Sequence, residues 1–434
     1  MKANKQPPNV SRVSLWDGFV AGQEILKAIN QLPEVEKAAL AGSLRRGTPT
    51  IGDIDIVIQA SKAANQQLLD KLQHLEQVAS VIDSGRTWIT MMLRNQIKVD
   101  ICIVEQQQYG AAMLYFTGPV AHNSALQSCA RQKGWKLNEC GLFDLRTDSY
   151  LPAGTEEDIY NQLGLQYIAP ELRETIDSIT LTSPYQSPSL ISFSQIKGDM
   201  RIKSKWGKGE AAIPHIAHYA LNAFPHYQYI IIADQLPDST SDQYLRQWDE
   251  IDEVNRQLKN NFIKKGIETA IGNHGSLSVK NELLLSFDWV TATIQEETTG
   301  DNTEKLIKAC ECPYVHCIGH TSSQIYNAGS PPRINWDQLF KKAAATHTAI
   351  EINAQPNCLE LDDALVYNAV QQGVHLVINT AATALSQFDL MQLGVWIARR
   401  GGCTKQNILN SRSWQEIEQF KLNKRLVCQQ TPAT

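Results

Sequence analysis

The sequence contains no long hydrophobic run. Its longest aliphatic runs, such as Ile230-Ile231-Ile232, are far shorter than the ~20 apolar residues that a membrane-spanning helix needs. The N-terminal segment MKANKQPPNVSR has no apolar core after its lysines, as a signal peptide would. Nine cysteines in 434 residues are too sparse for a secreted disulfide framework, so we expect reduced thiols. These absences predict a cytoplasmic protein without a membrane partner.

Positive charge is also scarce. Lys and Arg number 40 against 45 Asp and Glu, giving a net charge of -5. Proteins that coat nucleic acid without specificity are normally basic, so this class is disfavoured, whereas an enzyme with a local basic groove is not. With 43% hydrophobic and 20% charged residues, the chain is neither disordered, nor collagen-like, nor a small disulfide scaffold. At roughly 150 residues per domain, its length predicts two or three domains.

Apolar periodicity predicts two halves of different character. In the first half we expect helices over 16–31, 60–79 and 121–133. We expect strands there over 35–41, 54–58, 87–93 and 97–104. A stretch rich in Ser, Thr and Pro at 178–194 is interpreted as a linker. In the second half, helical segments separate strands expected over 229–233, 291–294, 315–318, 349–353 and 376–379. Repeated strand–helix units indicate an α/β layout with a mainly parallel sheet or barrel.

Two carboxylates on one predicted strand carry the strongest chemical signal. Asp53 and Asp55 are two residues apart, so they share a face of the strand while Ile54 and Ile56 face the core. Carboxylates side by side repel each other unless a cation lies between them, and hard oxygen ligands suit Mg²⁺. Asp100, on a later strand, is the candidate third carboxylate.

Residues suited to phosphate precede this pair. The Gly42-Ser43 turn offers backbone N–H groups to an anion, Arg46 supplies positive charge, and Gly52 permits close backbone approach. Such a set meets the needs of two-metal nucleotidyl transfer to a 3′-hydroxyl. An isolated D-x-D is most often only the polar edge of a strand. The upstream G-S-x-R-R-G and the downstream Val99-Asp100 make that interpretation of the pair unlikely here.

Gly42 through Asp55 resembles the signature of the DNA polymerase X family, within the nucleotidyltransferase superfamily. The segments Tyr115-Phe116-Thr117-Gly118, His122-Asn123 and Lys136-Leu137-Asn138-Glu139 are similar to further family motifs, the first of them to its YFTG turn. The resemblance implies a palm and thumb with two Mg²⁺ ions, replaceable by Mn²⁺, bound by Asp53, Asp55 and Asp100. It implies nucleotide binding by Gly42, Ser43, Arg46, Gly52, Tyr115, Phe116, Gly118 and Asn123.

Two departures from the family pattern affect the expected DNA binding. Bacterial members begin with helix-hairpin-helix modules, whereas almost nothing precedes the matched segment here. Four residues after Asn123 the family has an Arg that touches the template, and this chain has Gln127. We therefore expect a deoxynucleoside triphosphate and a weakly held DNA 3′ end as substrates, with a protein partner as one source of DNA affinity.

The second half is similar to the PHP (polymerase and histidinol phosphatase) domain of bacterial members. The resemblance implies a distorted seven-stranded β/α barrel with a trinuclear metal site for 3′–5′ exonuclease or phosphoesterase chemistry. Most ligands differ: where the family has D-L-H-x-H-S, this chain has Asp199-Met200-Arg201-Ile202-Lys203-Ser204. A further family His is Gln295, and only Asp234, Glu268 and His320 survive. A cluster of this kind needs deprotonated or neutral donors, so we expect a barrel without metal or hydrolase activity.

Two clusters in this half have open interpretations. Arg201, Lys203 and Lys208 are expected where the metals would lie, and they could bind a phosphate or simply pair with Asp234 and Glu268. Cys310, Cys312, Cys317 and His320 have some metal-like spacing, although buried structural thiols are the favoured interpretation.

The domain organisation and function follow from these matches. We expect a tail at 1–12, a nucleotidyltransferase palm and thumb over 13–177, the linker at 178–194, a degenerate PHP barrel over 195–426 and a tail at 427–434. The favoured function is repair-related nucleotide addition to a DNA 3′-hydroxyl. The alternatives are nucleotidyl transfer to a non-DNA acceptor and a non-catalytic paralogue that binds nucleotides or nucleic acid.

Overall fold

The computed structural model describes residues 12–174, 188–235, 241–294, 300–320, 333–358 and 360–430. The chain forms two compact units, residues 1–187 and 188–434. Parts of the predicted tails and linker, together with Gln295, lie outside the described residues.

The first unit combines two larger sheets with six α-helices among its described residues. Its strands are β1 (Val13–Ser14), β2 (Lys37–Leu40), β3 (Thr50–Ile51), β4 (Ile54–Gln59), β5 (Val78–Ser84), β6 (Trp88–Leu93), β7 (Lys98–Val104), β8 (Trp135–Asn138), β9 (Gly141–Asp144) and β10 (Ser149–Leu151). Its helices are α1 (Leu15–Ile29), α2 (Gly42–Arg45), α3 (Asn65–Leu72), α4 (Tyr109–Thr117), α5 (Val120–Gln132) and α6 (Glu156–Leu163).

The five-stranded sheet of this unit has the order β2-β4-β7-β6-β5. Its central strands β4 and β7 are parallel, and the other neighbouring pairs are antiparallel. One face carries Ile54, Ile56 and Ile58, which are almost fully buried. The opposite face keeps polar residues partly exposed, because side chains alternate along a strand. That face holds the predicted carboxylates.

One prediction for the first unit is wrong. The helix expected over 60–79 ends at Leu72, and strand β5 follows from Val78. Tyr115-Phe116-Thr117 forms the last turn of helix α4, which ends at Gly118. Helix α4 is buried on nearly all sides, so it lacks the amphipathic period that identifies surface helices.

The second unit alternates strands and helices. Its strands are β11 (Gly198–Ile202), β12 (Tyr229–Ile232), β13 (Ile263–Ile271), β14 (Trp289–Ile294), β15 (Cys317–Gly319), β16 (Ala349–Asn353) and β17 (Leu376–Asn379). Its helices are α7 (Ile213–Ala223), α8 (Ser241–Leu258), α9 (Asn281–Leu284), α10 (Thr303–Glu311), α11 (Trp336–Ala345), α12 (Asp363–Gln371), α13 (Met391–Arg400) and α14 (Trp414–Gln430).

The seven strands of this unit form a parallel, nearly closed barrel. They are ordered β11 to β17 in sequence, and every adjacent pair is parallel. The Asn410 amide group donates to the carbonyls of Gly198 on β11 and Ile378 on β17, at 2.9 and 2.7 Å. The Met200 amide donates to Asn379 Oδ1 at 3.2 Å. These bonds bring the first and last strands together, so the barrel expected from the resemblance is confirmed.

The barrel strands are buried on both faces, as expected for parallel strands covered by helices. Every residue of β11, β12, β14 and β17 is buried. Among the described residues, no helix has the length and apolarity to cross a membrane.

Candidate functional site

Parallel pairing of β4 and β7 assembles the three predicted carboxylates. Asp55 and Asp100 are direct partners across these strands, and Asp53 lies just before β4. The Thr90 hydroxyl, on neighbouring strand β6, donates to Asp100 Oδ1 at 2.5 Å. The predicted residues therefore form one acidic cluster on the open face of the sheet.

Lys98 occupies this cluster, although the sequence did not single it out. Its Nζ donates to Asp53 Oδ2 at 3.2 Å and to Asp100 Oδ2 at 2.6 Å. Burial, with the nearby charges of Asp53 and Asp100, raises the pKa of Asp55 to about 7. Lys98 pairs with two of the three carboxylates. One positive charge does not neutralise three carboxylates, so the site can attract further cations.

Gly42 lies directly against the most buried of these carboxylates. It has a φ of +62°, and a Cβ on it would lie 1.8 Å from Asp55 Oδ2. A side chain at this position would collide with the carboxylate and would also strain the backbone. Gly42, the first residue of the predicted phosphate turn, thus also packs directly against the Asp55 carboxylate.

We expect Gly42→Ala to lower nucleotide transfer about 100-fold, because misplacement by about 1 Å costs about that much in catalysis. Gly134→Ala is the matched control: Gly134 also has positive φ, +77°, but nothing lies within 4 Å of its Cβ position. The control should lose about 1 kcal/mol of stability and keep its activity. Steady-state kinetics with thermal unfolding of both variants measures this. Equal activity losses would contradict the collision with Asp55.

Arg46 connects the predicted phosphate turn to the end of helix α4. Its guanidinium donates to the Thr117 carbonyl at 2.5 Å and forms an ion pair with Glu174 at 2.9 Å. Gly118, with a φ of +55°, ends α4 beside Arg46. The Asn123 amide group donates to the Tyr115 carbonyl at 2.7 Å. The structure therefore brings these predicted nucleotide-binding residues together.

The remaining predicted nucleotide-binding residues lie near the same turn. Ser43 is half-buried in the single turn of α2. A Cβ added to Gly52 would have one neighbour within 4 Å among the described residues, Arg12 Nη1 at 3.7 Å. Gly52 is therefore bordered by open space. The rings of Tyr115 and Phe116 contact each other edge to face, with centroids 5.4 Å apart.

A cleft of about 580 Å³ extends from the carboxylates along β6 and β7. Asp55, Asp100 and Lys98 line one part of it, and Phe116 and Trp88 line another. Trp88 is opposite Cys102 in the sheet, as Thr90 is opposite Asp100. Trp88 therefore lies on the same face as the carboxylates, where it is 40% exposed.

A cluster of ion pairs connects the helices that carry this site. Glu156 at the start of α6 pairs with Arg45 at 2.5 Å and with Arg173 at 2.9 Å. Arg45 also donates to the Thr117 hydroxyl at 2.7 Å. The pKa of Glu156 is lowered because these two guanidiniums outweigh the effect of its burial. The cluster fixes α2 and α4, which carry the predicted phosphate and sugar contacts.

In the second unit, two cations occupy the interior of the barrel end. Arg201 donates to Glu268 and to Glu351, each at 2.7 Å, and Lys203 donates to Glu268 at 2.6 Å. All four residues are buried or nearly so. The neighbouring cations hold the pKa of Glu268 well below its usual range despite its burial. Guanidinium and ammonium groups thus provide the positive charge at these carboxylates.

The expected grouping in this barrel needs three corrections. Lys208 is exposed, since it lies in the turn after the buried Arg201 and Lys203. Asp234 accepts hydrogen bonds from Ser204 and Gln247 rather than forming an ion pair with Arg201 or Lys203. Glu351 is the partner that sequence analysis missed, because it lies 150 residues from Arg201.

The cysteine cluster does not assemble as its spacing suggested. Cys310 and Cys317 are completely buried in the barrel's packing, and the Cys312 thiol contacts Asn281. His320 instead approaches Cys358 and Glu360 among the described residues. All nine cysteines are free thiols.

The first unit matches two known family models. The family model described as DNA polymerase beta palm matches residues 20–112, and the DNA polymerase beta thumb matches residues 112–174. The "DNA polymerase/3'-5' exonuclease PolX" of Bacillus subtilis (strain 168) is 31% identical over 431 residues, covering 96% of this chain and 74% of that protein. The chain belongs to the DNA polymerase X family.

Other relatives match a smaller part of the chain. The "Repair DNA polymerase X" of African swine fever virus (isolate Tick/South Africa/Pretoriuskop Pr4/1996) is 28% identical over 136 residues, 30% of this chain and 78% of that protein. A crystal structure of Leishmania infantum polymerase beta in a ternary P/T complex is 22% identical, covers 38% of this chain and 77% of that chain, and has a TM-score of 0.35. The two sequence relatives and the family models make the chain homologous to DNA polymerases and repair polymerases, a group of enzymes that generally depends on divalent metals.

Proposed function

We propose that this polymerase X chain transfers a deoxynucleotide from its triphosphate to a DNA 3′-hydroxyl. The single observation that carries the proposal is the joining of Asp53, Asp55 and Asp100 on one face, with Gly42 against Asp55. Lys98 pairs with Asp53 and Asp100, which supports a site for positive charge. Its side chain is 28% exposed, so it can turn into solvent when a metal ion binds, unlike the buried cations of the barrel. Asp53, Asp55 and Asp100 would hold Mg²⁺, which supplies charge stabilisation to in-line phosphoryl transfer when bound.

The chain's own residues provide position and charge for this reaction. Asp100 accepts a hydrogen bond from Thr90, which fixes its carboxylate toward the acceptor hydroxyl. Arg46, anchored on the Thr117 carbonyl, is placed to pair with triphosphate oxygens. Tyr115 and Phe116 line the proposed sugar pocket. The edge-to-face packing of their rings limits the movement of both side chains.

The second unit lacks hydrolase activity in this proposal. Arg201 and Lys203 supply positive charge to Glu268 and Glu351, where the family resemblance implies metal ions. A metal cluster there would have to displace two buried, hydrogen-bonded cations. We therefore propose that the barrel retains the polymerase X fold without 3′–5′ exonuclease activity.

Incubation with labelled deoxynucleoside triphosphates and Mg²⁺, with and without gapped DNA, tests the acceptor. The proposal expects incorporation that requires DNA and disappears in the Asp53→Ala/Asp55→Ala double variant. Incorporation without DNA would identify a non-DNA acceptor. Absence of turnover in a folded protein would indicate a non-catalytic binding protein.

Trp88 is expected to hold the acceptor strand by stacking, because it is exposed in the cleft beside the carboxylates and base–aromatic stacking contributes about 1–3 kcal/mol. Trp88→Ala should raise the KM for primed DNA about 10-fold or more. The KM for the triphosphate should change little, and Trp88→Phe should restore most of the DNA affinity. An unchanged KM for DNA in Trp88→Ala would contradict this role.

A further inference from the structure

A second group of metal-ligand side chains lies in the barrel unit. The ligating atoms of His320, Cys358 and Glu360 are all within 4.8 Å of one another. His320 directly follows strand β15, and the other two residues belong to the segment after β16. Because β15 and β16 are parallel neighbours, their carboxyl ends meet at one edge, which brings these distant residues together.

Backbone hydrogen bonds hold the segment that carries Cys358 and Glu360. The Cys358 amide donates to the Gln355 carbonyl at 2.9 Å, closing a turn. The Gln355 side chain donates to the Thr380 carbonyl at 2.6 Å, beyond the end of β17. Glu360 then pairs with Asn353 in an antiparallel bridge. The segment therefore folds back so that both side chains return to the end of β16.

His320 is fixed by its own backbone. Its amide donates to Glu351 Oε2 at 3.1 Å, and its φ is +48°. Its Nδ1 lies 3.7 Å from Glu360 Oε1. An imidazole nitrogen and a carboxylate oxygen, each about 2.0–2.2 Å from a tetrahedral zinc ion, are about 3.3–3.6 Å apart. The Nδ1–Oε1 separation of 3.7 Å is close to this value, so a small movement of either side chain lets both bind one ion.

The donor types select the metal. An imidazole nitrogen, a thiolate sulfur and a carboxylate oxygen are all zinc ligands. Magnesium and calcium prefer oxygen alone, so the thiol disfavours them. Three protein ligands leave a fourth position for water.

The barrel's internal cations do not oppose this site directly. Arg201 Nη1 and the His320 amide both donate to Glu351 Oε2. The Glu351 carboxylate therefore lies between the guanidinium and His320, and its negative charge offsets the repulsion that Arg201 would exert on a bound cation.

We infer that His320, Cys358 and Glu360 form a mononuclear zinc site that joins the ends of β15 and β16. Cys358 and Glu360 are not among the positions that the family resemblance assigns to the trinuclear cluster, and neither was found by spacing in the sequence. Bound zinc would tie the two strand ends together through its three protein ligands and so stabilise the folded barrel.

Titration of chelator-stripped, full-length protein with Co²⁺ tests the site. We expect a thiolate-to-cobalt charge-transfer absorption that saturates at one thiolate-bound Co²⁺ per chain and that Zn²⁺ removes by displacement. The palm carboxylates have no thiolate, so any Co²⁺ they bind does not contribute to this absorption. Zinc should also raise the thermal unfolding temperature of the stripped protein. Absence of the absorption in the wild-type chain would overturn the inference, and this outcome does not depend on how any variant folds.

Variants locate the ligands. Cys358→Ser should abolish the charge-transfer band, and Glu360→Gln should weaken Co²⁺ binding at least 10-fold. Cys312→Ser is the matched control, since Cys312 is likewise partly exposed and outside any disulfide, and it should keep the band. A band that persists in Cys358→Ser would also overturn the inference. Nucleotide transfer by the palm should continue in Cys358→Ser, so failure of either proposal is distinguishable.

Discussion

Asp55→Asn is expected to reduce nucleotide transfer about 10³-fold or more. The substitution removes a proposed, half-buried metal ligand. Metal-ion stabilisation of the transition state is worth several kcal/mol, and each 1.36 kcal/mol equals a tenfold change in rate. Single-turnover extension of a gapped substrate at saturating triphosphate measures the loss. Activity within tenfold of wild type would contradict the assignment of Asp55.

Stability separates this effect from misfolding. Burial and the charges of Asp53 and Asp100 raise the pKa of Asp55 to about 7. At pH 8 the carboxyl is therefore ionised in an environment that disfavours the charge, so its ionisation destabilises the folded state. Metal-free Asp55→Asn should therefore unfold at the same temperature as wild type or higher. Asp83→Asn, an exposed acid on edge strand β5, is the matched control and should leave activity and stability unchanged.

Arg201→Met is expected to destabilise the barrel unit by about 3–5 kcal/mol, because removing one partner leaves buried carboxylates without compensation. Glu351 is 1% exposed and would lose its guanidinium. Urea unfolding followed through Trp289, which is fully buried in this unit, measures the change. A loss below about 1 kcal/mol would mean that the cluster contributes little.

Two further variants separate burial from charge. Arg201→Met/Glu351→Gln should be more stable than Arg201→Met alone, since the double change removes both members of the pair. Lys308→Ala removes an exposed pair with Glu304, 3.6 Å long, and should cost less than about 1 kcal/mol. If Lys308→Ala matched Arg201→Met, burial would not be the cause.

The sequence predicted the centre of the palm well because its pattern is local. Residues 54–58 alternate in the required register, and the structure has β4 at Ile54–Gln59. Asp53 and Asp55 lie next to each other on one face for the same reason. Pairing of Asp55 with Asp100 needs the fold as well, since parallel strands are joined by a crossover and their register is not local.

Elements without a clear period were missed. Strand β5 is exposed at six of its seven positions, so it shows no buried face that would distinguish it from the end of helix α3. Strand β13 contains Lys264, Lys265 and Glu268, charges that hide a strand buried mainly through tertiary contacts. In both cases tertiary context decides the structure against the local pattern.

Long-range electrostatics was equally invisible in the sequence. Lys98 is two residues before Asp100 on β7. Its position between Asp53 and Asp100, however, depends on the pairing of β4 with β7. The Arg201–Glu351 pair and the His320–Cys358–Glu360 group join residues from separate barrel strands. The sequence thus identified Arg201 and Lys203 as unusual and offered Glu268 as a partner, which pairs with both, but it did not give Glu351.

Electrophoresis of a 5′-labelled primer in a gapped duplex tests the central claim most directly, since one gel reports both addition and removal of nucleotides. The purified chain is incubated with Mg²⁺ or Mn²⁺, with and without deoxynucleoside triphosphates. The account predicts longer products that need triphosphate and the intact Asp53–Asp55–Asp100 cluster, and no shortened products. Shortening of the primer that persists in Asp53→Ala/Asp55→Ala, or no lengthening by the wild-type chain, would contradict it.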